Sequence, residues 1–356
     1  MIRVLVVDDS AFMRKALSLM IDRDPELEVI GTARDGEDGY HKTRDLKPDV
    51  VTVDIEMPRT DGLKCIELIM HHDPTPILVV SSLTTKGAKI TLKALDLGAV
   101  DYIPKSQSYI ALDITKIEAK LCEKIKIVAN TPKRQKRPMT GKDSTTEPFI
   151  LEASNKSKDY FDLSSHSVEC IAIGVSTGGP PVLQKILTAL PANFSIPILI
   201  AQHMPREFTK TFAERLDSLS ELCVKEAENG EILAPGTVYI GKGGEHVLLR
   251  RRGHQIQVRV CAEPTNLLYH PSADVLFESL SEVYGAKAVG LILTGMGEDG
   301  LLGLKKMGTK GSVILAQSKA SCVVYGMPRA AVEEGIVTKV LDINGLITSI
   351  QSAIKS

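Results

Sequence analysis

The chain of 356 residues carries almost no net charge, with 43 Lys and Arg against 44 Asp and Glu and a formal charge of -1 at pH 7. It therefore lacks the whole-protein basic field on which general nucleic-acid binding relies. Its six cysteines, Cys65, Cys122, Cys170, Cys223, Cys261 and Cys322, include no Cys-x-x-Cys pair. Zinc ribbons and thioredoxin-like redox sites are thereby disfavoured, and the thiols read as small buried hydrophobes in a reducing compartment. No apolar run approaches the roughly 18 residues of a membrane span, so direct insertion into a membrane is not expected. The opening MIRVLVVDDS has only a short apolar stretch ending in two acids. It lacks the form of a secretory signal, and a cytoplasmic location is expected.

What is present is an ordinary globular composition, 43% hydrophobic and 24% charged, at a length that suggests two domains. From Ile2 to Val128 short apolar runs alternate with amphipathic stretches. Ile2–Val7, Val29–Ala33, Val50–Val53, Ile77–Val80 and Tyr102–Ile103 read as strands, and Ala11–Ile21 and Leu63–Met70 as helices. Such alternation predicts a parallel sheet covered on both faces. Residues 128–167 change texture, with the basic run Thr131–Pro138 followed by a Ser/Thr/Lys/Asp-rich stretch that only Phe149–Leu151 and Tyr160–Phe161 interrupt. This segment is expected to be a flexible linker. A second α/β region follows over 168–356, with strands expected at Cys170–Val175, Ile196–Ala201, Ala288–Leu293 and Ser312–Ala316 and a β-rich insertion near 236–260. Formal charges are -3 over 1–127, +2 over 128–167 and 0 over 168–356, so no domain is a polycation.

In the first region Asp8 and Asp9 follow the first strand, Asp54 the third, Ser81 the fourth and Lys105 the fifth. Residues just past the carboxyl ends of parallel strands share one crevice. Three carboxylates gathered there repel one another unless a hard cation joins them, and Mg²⁺ suits such a site. A hydroxyl and an ammonium alongside would make a receptor for a phosphoryl group. The runs VLVVDDS, VTVDIEMPRTDG, ILVVSS and DYIPK, in that order, resemble the signatures of two-component receiver domains. The resemblance implies a flavodoxin-like, five-stranded parallel fold over 1–127 in which Asp54 accepts a phosphoryl group from a chemotaxis histidine kinase. It further implies that Asp9 binds Mg²⁺ directly, that Asp8 supports it and that the Glu56 carbonyl adds a ligand. Ser81 and Tyr102 would be switch residues, and Lys105 would pair with the phosphoryl oxygens. One departure is that receivers usually place Pro after the Lys, whereas Ser106 stands there and Pro104 precedes it.

In the second region the run Cys170–Val175 leads into Gly174-Val175-Ser176-Thr177-Gly178-Gly179-Pro180. This fits Gly-x-Ser-x-Gly, in which small neighbours hold a serine out over the sheet edge at a strand-to-helix turn. The same residues also suit a plain Gly-rich turn into a helix. A serine nucleophile needs a base and the base an orienting acid. Of the eight His, His203 follows the next buried strand at the same carboxyl edge, while His246, His254 and His270 lie in or beside the insertion. Asp299 follows Ala288–Leu293 through Thr294-Gly295-Met296-Gly297-Glu298. The order Ser…His…Asp is not that of the α/β-hydrolases, which disfavours lipase-like membership. Residues 295–300 also match G-x-G-x-x-G, but Ala316-Gln317-Ser318 ends the next strand without the acid a dinucleotide ribose needs.

Together with the receiver-like half, GVSTGGP, AQHMP, LTGMGEDG and VVYGMPRAA resemble the receiver-linked protein-glutamate methylesterases of bacterial chemotaxis. The resemblance covers both domains outside 128–167. It implies a doubly wound α/β methylesterase domain with Ser176 as nucleophile, His203 as general base and then acid, and Asp299 as its orienting residue. The backbone N–H of Met296 would lie in the oxyanion hole with Thr177 supporting the site. The implied activity is hydrolysis of glutamate γ-methyl esters, and deamidation of glutamines, on methyl-accepting chemotaxis receptors, with no cofactor for the hydrolysis. Phosphorylation would relieve a block of the catalytic cleft by the receiver. The competing reading is a receiver joined to a non-catalytic adaptor that binds receptors.

Overall fold

The computed structural model describes residues 1–57, 62–105, 114–131 and 159–354. The chain divides into two compact units, Met1–Ile150 and Leu151–Ser356, each built on its own parallel sheet.

The first unit has β1 (Ile2–Val7), β2 (Leu27–Ala33), β3 (Val50–Asp54), β4 (Ile77–Ser82) and β5 (Asp101–Lys105) in the order β2-β1-β3-β4-β5. All neighbours are parallel, which requires crossover helices and therefore strands buried on both faces. Helix α1 (Ala11–Asp22) starts where the Ser10 hydroxyl accepts the Met13 N–H, and it turns Leu17, Met20 and Ile21 inward against Val4 and Val6. Strand order reverses between β1 and β3, where Val7 pairs with Val53, so Asp8 and Asp54 emerge side by side. Asp54, Ser81 and Lys105 do not follow their strands, as expected from the apolar runs, but belong to the ends of them. The ladder continues past the last Val because backbone pairing is indifferent to side-chain polarity: Asp54 pairs with Val80, and Ser81 with Pro104.

The second unit carries seven parallel strands: β6 (Cys170–Val175), β7 (Ile198–Gln202), β8 (Cys223–Glu226), β9 (Thr237–Ile240), β12 (Ala288–Ile292), β13 (Val313–Gln317) and β14 (Lys339–Leu341), in the order β14-β13-β12-β6-β7-β9-β8. Among the described residues only β10 (His246–Arg252) and β11 (Gln255–Cys261) form a separate antiparallel hairpin, so the β-rich insertion narrows to these two strands and β9 joins the main sheet. The hairpin covers helix α8 (Ala273–Tyr284): Val247, Leu249, Val258 and Val260 share one core with Leu276, Phe277 and Leu280, and the Leu249 N–H donates to Ser279 Oγ. Gly174 lets the start of α8 approach β6, because a Cβ there would lie 2.8 Å from Ala273 Cβ and 3.0 Å from the Phe277 ring.

Cys223 is exposed at the start of edge strand β8, and Cys261 and Cys322 are half-buried, so only Cys65, Cys122 and Cys170 are the buried hydrophobes expected of all six. Ordered structure also enters 128–167 from both sides. Helix α5 (Ile114–Ala129) runs into it, and Leu163 is buried while the Phe161 and Leu163 N–H groups donate to Ser349 and Ser352 of α11 (Ile343–Ser352). The basic residues 133–137, Phe149–Leu151 and Ser106 lie outside the described residues. Among the described residues no helix is long and apolar enough to cross a membrane.

Phe277 is fully buried between sheet and hairpin. Phe277→Ala is expected to remove about 3–5 kcal/mol from the unfolding free energy of the second unit, read from its denaturant transition.

Candidate active site and phosphoryl-acceptor site

In the second unit strand order reverses between β6 and β12, the place where open α/β sheets bind ligands beyond their carboxyl ends. Ser176 follows β6, His203 follows β7 and Asp299 lies in the loop after β12, so the three candidates converge from adjacent strands. The main chain fixes their turns to one another. The Ser176 N–H donates to Thr294 O at 3.0 Å, and the His203 N–H to Val175 O at 3.1 Å. After Ser176 the chain turns sharply into α6 (Gly179–Thr188) through Gly178 at φ +77°, where a Cβ would also meet Val323 Cβ at 2.5 Å. Glycine is required there on both counts.

Asp299 is anchored at the N-terminus of α8. Its Oδ1 accepts from Ser272 Oγ at 2.7 Å and from the Asp274 N–H at 3.3 Å; its Oδ2 accepts from the Ala273 N–H at 2.6 Å and faces His203 Nε2 at 2.7 Å. Backbone donors and the helix dipole both favour a carboxylate in that position. Burial by itself would raise the Asp299 carboxyl, but the His203 hydrogen bond and charge and the α8 donors outweigh it, holding the group below its ordinary value. An ionised carboxylate only accepts, so the imidazole proton on this side belongs to Nε2. In the neutral imidazole Nδ1 then carries the lone pair, and that atom is buried and without a hydrogen-bond partner among the described residues.

The other histidines of this unit are spoken for or remote. His246 is fully buried, accepting the Ser272 N–H at Nδ1 and donating from Nε2 to Pro264 O, and burial lowers its pKa. His254 lies exposed in the β10–β11 turn, and His270 packs against His246. Thr177 is buried, and its carbonyl accepts from Thr294 Oγ1 at 2.9 Å. Met296 follows Gly295, where a Cβ would lie 2.9 Å from Ser176 Cβ. Among the described residues the N–H groups of both Thr177 and Met296 have no hydrogen-bond partner.

Sequence reasoning missed the residues that hold these turns. Gln202 donates from Nε2 to the carbonyls of both Ser176 and His203 at 3.1 Å. Gln317 Oε1 accepts the Thr294 N–H at 2.8 Å, and Thr294 Oγ1 accepts from Val323 and Val324. Gln202 and Gln317 each close an apolar strand and are almost wholly buried, a polar group at a strand end being the only signal available in advance.

In the first unit carboxylate oxygens of Asp8, Asp9 and Asp54 lie within 4.8 Å of one another. Lys105 Nζ is 2.6 Å from Asp54 Oδ2 and 3.0 Å from Asp8 Oδ2. Burial raises the Asp8 carboxyl, with the nearby Asp54 adding to the effect and Lys105 opposing it. Burial tends to lower the Lys105 ammonium, but Asp54 and Asp8 outweigh it and raise the group. Asp8 Oδ2 is buried and, its ion pair apart, makes no hydrogen bond, and Asp9 is exposed. A hard cation with water and phosphate ligands fits this donor set. The Glu56 N–H donates to Asp54 Oδ1 at 3.0 Å, tightening the loop after β3. Ser81 is buried with Oγ 2.7 Å from Thr91 Oγ1. Tyr102 is buried, which pushes its phenol up. Arg14 went unnoticed in the sequence; its Nη1 donates to the carbonyls of Asp8 at 2.7 Å and Asp9 at 2.9 Å, stapling the acidic turn to α1.

The family model described as CheB methylesterase matches residues 171–350, and that of the response regulator receiver domain matches 4–114. The chain is 48% identical over 360 residues to the protein-glutamate methylesterase/protein-glutamine glutaminase of Lawsonia intracellularis, covering 99% of each. It is 49% identical over 365 residues to protein-glutamate methylesterase/protein-glutamine glutaminase 2 of Nitratidesulfovibrio vulgaris, covering 99% of this chain and 100% of the relative. The crystal structure of the Thermotoga maritima CheB methylesterase catalytic domain matches with a TM-score of 0.51 and 40% identity, over 52% of this chain and 99% of that one.

Because the folded state holds Asp299 below its ordinary value, the carboxylate stabilises the fold fully above about pH 4 and loses that contribution as pH falls through the lower folded value. The stability gap between wild type and Asp299→Asn, followed by denaturant unfolding at a series of pH values, is expected to be widest near neutrality. It should shrink below about pH 4.

Proposed function

The chain belongs to the CheB methylesterase family, with a response regulator receiver domain at its N-terminus, and from that premise we propose that it is a phosphorylation-activated hydrolase of chemoreceptors. Its substrates are the γ-methyl esters of receptor glutamates, and certain receptor glutamines are deamidated by the same route. The observation that carries the reading is the buried, unpartnered Nδ1 of His203, opposite an Nε2 that Asp299 holds, at the strand ends that also present Ser176.

In this mechanism the Ser176 hydroxyl attacks the ester carbonyl while Nδ1 of His203 takes its proton. Asp299 holds the ring in the required tautomer and steadies the imidazolium. The N–H groups of Met296 and Thr177 receive the oxyanion of the tetrahedral intermediate. His203 returns the proton to the departing methoxide, and methanol leaves an acyl-Ser176. Water then gives its proton to Nδ1 as it attacks the acyl carbonyl, and His203 returns that proton to Ser176 Oγ as the receptor glutamate is released. An amide follows the same path with ammonia as the leaving group. The Ser176 hydroxyl makes no hydrogen bond to Nδ1 in the free enzyme, and such contacts tighten when substrate arrives.

Control belongs to the first unit. Asp54 is the phosphoryl acceptor, with a histidine kinase as donor. Asp9 and Asp54, backed by Asp8 and joined by the Glu56 carbonyl, would hold a Mg²⁺ that neutralises phosphoryl oxygens. Lys105, already on Asp54, would exchange its carboxylate contact for a phosphoryl oxygen, and Ser81 and Tyr102 would carry the change into β4 and β5. Phosphorylation then relieves the block on the catalytic unit, the two being joined by the linker over 128–167. The enzyme acts in the cytoplasm, on the cytoplasmic helices of the receptors.

Methanol release from membranes bearing methyl-esterified chemoreceptors tests the activity. Ser176→Ala is expected to abolish release; equal release from wild type and variant would leave the receptor-binding adaptor as the reading. Asp54→Ala is expected to keep basal release and lose the response to acetyl phosphate, and a response that persists in this variant would remove Asp54 from control.

A further inference from the structure

Asp299 secures only one atom of the catalytic imidazole. A single contact at Nε2 leaves the ring free to tilt, and Nδ1 has no partner among the described residues to stop it. Yet the reaction needs Nδ1 aimed at Ser176 within a narrow cone. The remaining restraint comes from the face of the ring. Tyr269 stacks on His203 with centroids 4.0 Å apart and planes only 4° from parallel. A closely stacked aromatic face fixes the plane of the imidazole and also favours a cationic ring above it.

We propose that Tyr269 is a positioning residue for His203, clamping the imidazole plane and lying against it when it becomes an imidazolium; this rests on the reading of His203 as general base. The loop between β11 and α8 is built to deliver it. Buried His246 ties both ends of the loop, donating to Pro264 O at 3.0 Å and accepting the Ser272 N–H at 3.1 Å. Ser272, three residues beyond Tyr269, donates to Asp299. One loop thus supports the acid through a hydroxyl and the base through a ring face, and His246 serves as its strut.

The test uses the full chain with acetyl phosphate as phosphodonor and methyl-esterified receptor membranes as substrate. Tyr269→Phe keeps the ring and is expected to retain kcat within about twofold, whereas Tyr269→Leu should lower kcat about tenfold with KM little changed. In NMR spectra the carbon-bound ring protons of His203 should resonate upfield in wild type, under the Tyr269 ring current, and move downfield in Tyr269→Leu. Wild-type kcat in Tyr269→Leu, a loss confined to KM, equal impairment by Phe and Leu, or the absence of an upfield shift in wild type would each overturn the inference. His203→Ala separates the two readings: if it keeps wild-type turnover the base assignment itself fails, and if it abolishes turnover while Tyr269→Leu does not, only the role of Tyr269 fails.

Discussion

The catalytic unit depends on one buried anion. Asp299 is almost wholly buried, and an ionised carboxylate in that position is costly unless donors surround it. Ser272 Oγ, the N–H groups of Ala273 and Asp274 and Nε2 of His203 supply them. Three of the four come from the first turn of α8 or the residue before it, so the position of that helix sets the position of the acid. The β10–β11 hairpin covers the outer face of α8, and Gly174 lets its start press against the strand that carries Ser176. Packing far from the chemistry is thereby converted into the aim of the histidine.

The receiver unit meets a related electrostatic problem with different means. Its acidic cluster gathers like charges; burial is the main reason the Asp8 carboxyl is raised, and repulsion from Asp54 adds to it. Lys105 bridges Asp8 and Asp54 and is held charged by both. A bridging ammonium of this kind stabilises the resting site and, on the proposed role, is displaced onto a phosphoryl oxygen. In the catalytic unit the compensating groups are the His203 ring, backbone amides and a hydroxyl, and the amides and hydroxyl cannot be displaced in this way. One site is arranged to change its partners; the other is arranged to keep them.

The central strands of both sheets were legible because they are near-continuous Val, Ile and Leu runs, and the candidate site residues stood out because they close or follow those runs. What escaped was short and half-exposed: β14 has three residues, and β8 alternates buried Val224 with exposed Cys223 at the sheet edge, so neither shows the pattern of a buried strand. β9 read as part of the insertion because nothing local tells a strand which sheet it will join. The site's supports escaped for a different reason. Gln202, Gln317 and Thr294 act through main-chain groups of residues distant in the sequence, and Tyr269 acts through a ring face, so their roles exist only after the strands are ordered. Arg14 is the exception that could have been found, a cation one turn into the helix that begins after Asp8 and Asp9.

The distribution of unsatisfied buried atoms says the same from the energetic side. Among the described residues four buried side-chain atoms make no hydrogen bond: Asp8 Oδ2, Ser18 Oγ, Gln202 Oε1 and His203 Nδ1. A buried polar atom left wholly without a partner costs about 1–3 kcal/mol, and Asp8 Oδ2 avoids this through its ion pair with Lys105. Asp8 Oδ2 lies in the proposed phosphoryl-acceptor site, and His203 Nδ1 is the atom proposed to take the serine proton. Gln202 Oε1 belongs to the side chain that joins the turns of Ser176 and His203: with both amide hydrogens committed to carbonyls, the oxygen cannot be turned to them instead. Nothing in the structure explains Ser18. His203 Nδ1 is the one proposed to react, and the turns beside it are held by Gln202 and Thr294, which is how a scaffold keeps a reactive atom both uncommitted and in place.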